Sequence, residues 1–143
     1  MLNLLLVLLQ LYISSNHVRS TVKEKEMVFE IDFQDFFLKD TASLNINGSV
    51  IFKENQLTSD RSTGLTNIIT KGYLQNNDTI NVIFKNTAKH IEFSNNKISI
   101  SLIFNHYPWQ YLVDLSKGKY IGFSKKGKNE IVFRQSLKPF VYD

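Results

Sequence analysis

From Met27 to the end of the chain, apolar and polar residues alternate with a period of two, the pattern of strands that bury one face. In residues 28–34, Phe29, Ile31 and Phe33 point one way and Glu30, Asp32 and Gln34 the other. Residues 41–46 and 49–53 flank Asn47-Gly48, the dipeptide suited to a two-residue type I′ turn with two positive φ angles. A polar loop over 56–64 follows. Residues 67–74 and 79–84 are predicted to pair across a second turn at 75–78, and 90–94 with 97–104 across Asn95-Asn96. A fourth hairpin joins 119–124 to 130–135 through Lys125, Lys126, Gly127, Lys128 and Asn129, and residues 140–142 add a short terminal strand.

Eight or nine short strands with no helical stretch after residue 26 predict an all-β domain over 21–143. An antiparallel β-sandwich is the expected architecture, with a small β-barrel as the alternative. No fixed-period repeat occurs, which argues against a solenoid or propeller.

Residues 1–13 break the pattern. They hold 11 apolar residues, seven of them Leu, and are followed by Ser14-Ser15 and a polar stretch. The run falls short of the ~20 residues that span a bilayer but matches the apolar region of a secretory signal. Residues 1–20 are therefore expected to direct export, with cleavage near 15 or 20, and to leave a secreted or cell-envelope protein. The segment lacks Lys and Arg ahead of the apolar run; an amphipathic or retained N-terminal helix is the competing reading.

Composition narrows the chemistry. The chain of 143 residues contains no Cys, which excludes disulfides, thiolate metal sites, thiol catalysis and lipid anchoring through cysteine. The formal net charge of +4 is mild, but it is unevenly placed. From Leu115 onward seven basic residues face two acidic ones, and Lys125, Lys126 and Lys128 crowd one hairpin tip. Such a tip can touch an anionic membrane, lipopolysaccharide or acidic glycan, or can simply discourage edge pairing.

Val113-Asp114-Leu115-Ser116-Lys117-Gly118-Lys119-Tyr120-Ile121-Gly122-Phe123-Ser124, through its Leu-x-x-Gly-Lys-Tyr turn, resembles the entry into a core strand in prealbumin-like and collagen-binding-B-like β-sandwich modules. The resemblance spans about a dozen residues, implies the sandwich fold, and carries no activity with it.

No catalytic constellation stands out. His17, His90 and His106 lack a nearby nucleophile pattern, and no Gly-x-Ser-x-Gly elbow occurs. Glu30 and Asp32 share the solvent face of one strand, which explains them without glycosidase chemistry. Asp35, Asp40, Glu54 and Asp60 bracket two loops where weak calcium binding is conceivable, though no regular ligand spacing is present. No cofactor is expected. Nucleic acid is not an expected partner, because no recognised motif or stacking pattern exists.

The most distinctive segment is His106-Tyr107-Pro108-Trp109-Gln110-Tyr111. Tyr107, Trp109 and Tyr111 on a loop would form a platform for a protein or glycan ligand. The competing reading has Trp109 plugging the core, with Tyr111 and Val113 continuing inward. Taken together, these features predict a non-enzymatic binding or adhesion module. A module that assembles through an exposed edge strand or through its C-terminal residues is the alternative. A hydrolase is a third, weaker reading.

Overall fold

The computed structural model describes residues 24–142; the expected export segment lies outside them. Among the described residues ten strands form two sheets. They are β1 (Met27–Phe33), β2 (Asp40–Ile46), β3 (Ser49–Leu57), β4 (Ile69–Asn76) and β5 (Thr79–Phe84), then β6 (Thr87–Glu92), β7 (Lys97–Phe104), β8 (Tyr107–Asp114), β9 (Tyr120–Gly127) and β10 (Glu130–Ser136). A short 3-10 turn, Leu115–Lys117, links β8 to β9. One sheet has the order β10-β9-β1-β4-β5-β6 and the other β3-β2-β7-β8, and neither closes into a barrel. The chain is an all-β sandwich.

The alternation sets which face is buried. Phe29, Ile31 and Phe33 of β1 meet Leu44 and Ile46 of β2 and Ile98, Ile100 and Leu102 of β7 in a single core. Phe33 is central to it: its ring lies 5.5 Å from Phe123, 5.8 Å from Phe52 and 6.1 Å from Phe37. Each fully buried side chain of this size contributes about 1.5–3 kcal/mol through removal from water.

Several local expectations change. Asn47 and Gly48 adopt φ of 49° and 81°, the expected I′ turn between β2 and β3. Asn95 and Asn96 also form a turn with both φ angles positive, yet β6 and β7 around it belong to different sheets. Only Ser94 and Lys97 bridge there, so this turn hands the chain from one sheet to the other. The strands number ten because 107–114, expected as a connection, is β8. One pairing departs from the antiparallel scheme: β9 lies parallel to β1, with Ile31 opposite Ile121 and Phe33 opposite Phe123. Residues 140–142 form no strand. They cross the outer face of the six-stranded sheet instead, where Tyr142 meets Gln34 and Phe140 lies against Arg134.

These pairings place the connections at two ends. The segments 34–39, 58–68, 85–86, 105–106 and 128–129 gather at one end, and 47–48, 77–78, 93–96 and 115–119 at the other.

Candidate binding surface

The loop 34–39 must turn the chain from one sheet to the other within six residues while carrying the apolar run Phe36-Phe37-Leu38. Only the middle residue faces inward. Phe37 is buried against Phe33 and, at 5.8 Å, Phe104. Phe36 is 76% exposed and Leu38 66%. Phe36 has a φ of 71°, a conformation bulky L-residues seldom adopt. The loop is nevertheless firmly tied. Phe37 N donates to Ser59 Oγ (3.1 Å), Leu38 N to Asp40 Oδ2 (2.9 Å) and Lys39 N to Thr58 Oγ1 (3.0 Å). Ser59 N donates back to the Phe37 carbonyl (2.9 Å).

Beside it, Asp60 organises the next loop. Its carboxylate accepts from Ser62 N at 2.8 Å and Thr63 N at 3.1 Å. Hydrogen bonds from the Ser62 hydroxyl and these amides hold the Asp60 carboxyl below its ordinary pKa. Arg61 is left exposed at the tip.

The three basic-hairpin residues fare differently. Lys125 Nζ lies 2.9 and 3.0 Å from the two oxygens of Asp40. Asn105 Nδ2 donates to Asp40 as well (2.8 Å), and Thr41 N donates to Asn105 Oδ1 (2.9 Å). Burial alone would raise the Asp40 carboxyl, but bonds from Asn105, Leu38 N and Lys125 outweigh it and hold the pKa below the usual value. Lys125 is thus committed to the fold. Lys126 and Lys128 remain exposed. Between Lys126 and Phe36 opens a cleft of about 540 Å³, lined further by Asp35, Ser124, Val132 and Arg134. The Ser124 hydroxyl is buried there without a partner.

Of the aromatic segment, β8 alternation turns Trp109, Tyr111 and Val113 toward the core and Pro108, Gln110 and Leu112 outward. Tyr111 stacks on Phe133 with centroids 4.9 Å apart and rings 17° from parallel, and touches Phe123 at 5.4 Å. Burial raises its hydroxyl pKa. Trp109 is half-buried, and its Nε1 has no partner. Tyr107 is 54% exposed and stands at the loop end, next to the Asn105-His106 turn that reaches the Lys128 carbonyl (3.4 Å). The three residues therefore do not form one platform. Tyr107 stands at the same end of the sandwich as Lys126 and Lys128, whereas Trp109 and Tyr111 pack against the core.

Sequence reasoning missed Phe36 and Leu38. Their signal was present: three consecutive apolar residues in a short connection cannot all point inward.

A polar cluster covers the outer face of the six-stranded sheet. Gln34 donates to the Tyr142 hydroxyl (2.6 Å) and accepts from Arg134; the Tyr142 hydroxyl lies 3.4 Å from Asp32 Oδ2. Burial, reinforced by the Glu30 charge, pushes Asp32 up to about 6. Burial and the neighbouring Asp32 likewise raise Tyr142 to about 12. Glu30 itself pairs with Lys71 at 3.1 Å. Of the four loop carboxylates considered for calcium, two are engaged elsewhere, Asp40 by an ammonium group and Asp60 by its own loop. Among the described residues no cluster of three or more His, Cys, Asp or Glu could hold a metal ion.

Comparison with known proteins brings no match, whether to a protein-family model, to a curated protein or to a solved structure.

Proposed function

We propose that the protein is an exported, non-enzymatic β-sandwich that binds its ligand through the loop end. Residues 1–20 would direct export, and the ligand would meet loops 34–39 and 58–64, Tyr107 and the tip of the β9–β10 hairpin. The observation that carries the reading is the co-location of exposed Phe36, Leu38 and Tyr107 with exposed Lys39, Arg61, Lys126 and Lys128. Apolar tips among cations suit an acidic partner that also offers apolar surface. Loops held on a rigid sandwich are the usual place for such a surface.

Two measurements test the proposal. A reporter fused to residues 1–26 should be exported and cleaved, and uncleaved reporter in the cytosol would remove the export part. The purified protein should bind at least one class of acidic ligand in a screen of charged glycans, anionic vesicles and acidic proteins. Lys126→Glu combined with Lys128→Glu should abolish that binding at unchanged melting temperature. Equal binding by this variant would overturn the loop-end reading.

A further inference from the structure

The chemistry of the loop end identifies its partner more narrowly. Resting on the reading above, we infer that the partner is an anionic bilayer surface, with Phe36 and Leu38 entering the headgroup–acyl boundary and the surrounding cations meeting lipid headgroups. Phe36 and Leu38 flank the buried Phe37, so one anchor fixes two apolar side chains outward. Phe36 is held at a φ of 71° and gains almost no burial within its own chain in return. Backbone conformations of this kind persist only where the surroundings impose them, and they concentrate at functional sites.

Three backbone donors of the loop, at Phe37, Leu38 and Lys39, are tied to side chains of neighbouring segments. The apolar pair is thus presented in one geometry, and little ordering is left to occur on binding. Lys39 adjoins it in sequence, and Arg61, Lys126 and Lys128 share the same end of the sandwich. Two nearby carboxylates are screened from a ligand: Asp40 is matched by Lys125, and Asp60 is bonded into its own loop. What faces outward is an apolar pair among four cations, with Asp35 the one carboxylate that lines the same surface as Phe36 and Lys126.

That combination selects a membrane over an acidic glycan. A glycan supplies charge but no apolar phase to receive Leu38, whereas the boundary of an anionic bilayer supplies both. Tyr107, with an apolar body and a polar tip, suits the headgroup level beside them.

The test is sedimentation of the purified protein with phosphatidylcholine vesicles, with and without phosphatidylglycerol. Binding should require phosphatidylglycerol and weaken as salt rises, and each of Lys126→Gln and Lys128→Gln should lower it about fivefold. The double variant Phe36→Ser, Leu38→Ser should lower it about tenfold or more while its melting temperature stays at or above that of the parent protein. As an independent probe, Phe36→Trp should show a blue-shifted emission only with the anionic vesicles. Absence of binding to both vesicle types, or full binding by the double serine variant, would overturn the inference. If vesicles fail but an acidic glycan or protein binds and is lost in Lys126→Glu, Lys128→Glu, the loop-end reading stands and the bilayer alone is removed. If no acidic ligand of any class binds, both readings fall.

Discussion

Lys125 of the six-stranded sheet and Asp40 of the four-stranded sheet form an ion pair, with Nζ 2.9 Å from Oδ1, that ties the two layers together at the loop end. Asp40 is buried and accepts from Leu38 N and Asn105 as well, so removing the ammonium leaves a carboxylate short of one partner. Lys125→Met is expected to cost about 1–3 kcal/mol, measured by urea unfolding. Because the Asp40 pKa is depressed in the fold, its contribution is present above the unfolded pKa. It fades as pH falls through the lower folded value. The Lys125→Met penalty should therefore shrink in strong acid.

Asp32 has the opposite sign. Its folded pKa of about 6 lies above the ordinary 3.8, so the folded chain holds that proton more tightly than the unfolded chain. Its contribution is favourable at low pH and is lost as pH rises through about 6. Glu30, Lys71 and Tyr142 are the charged and titratable neighbours that set this balance. Asp32→Asn should raise stability at pH 7.5 by up to about 3 kcal/mol and by much less at pH 4. Melting curves of the two proteins at both pH values would show it, and an equal difference at both would contradict it.

Trp109 separates a packing role from a binding role. Its ring covers the core while its N–H is buried without a partner. Trp109→Ala should destabilise by about 2–3 kcal/mol through lost burial. Trp109→Phe keeps the ring contact and removes the orphaned donor, so it should be near neutral. Ligand binding by Trp109→Phe should match that of the parent protein.

Gly118 is held at a φ of 146°, and a Cβ there would come within 2.4 Å of the Ser136 carbonyl oxygen and 2.5 Å of its carbon. Both obstacles are backbone at the end of β10. Gly118→Ala should therefore cost more than about 3 kcal/mol or prevent folding, readable as loss of soluble monomer.

Phe36 gives the reverse expectation. Replacing a strained, exposed side chain by glycine relieves the backbone, so Phe36→Gly should leave the melting temperature unchanged or raise it, a gain on the order of 1 kcal/mol in the folded state less the extra freedom of glycine when unfolded.

Local chemistry was the legible part of the fold. Asn47-Gly48 dictates its turn whatever surrounds it, and Phe29, Ile31 and Phe33 declare a buried face by spacing alone. What escaped was decided by distant partners. Asn95-Asn96 turns as its residues require, yet β6 pairs with β5 and β7 with β2 and β8, which nothing in the turn encodes. Pro108 at the start of β8 and the dense aromatics around it obscured an edge strand whose alternation becomes clear only beyond Trp109. Lys125 and Lys126 read alike as neighbours in a basic run, but strand alternation turns the first toward Asp40 and leaves the second in water.

The parallel pairing of β1 with β9 also sets an order in time. Among the described strands Met27–Phe33 is synthesised first; it can dock on β4 once about forty more residues have followed, and gains its second neighbour only when Tyr120–Gly127 appears. One side of this strand thus stays unsatisfied until β9 exists. Folding should be slow, as non-local topology dictates, and a chain threaded outward N-terminus first would leave this sheet open until β9 and β10 arrive.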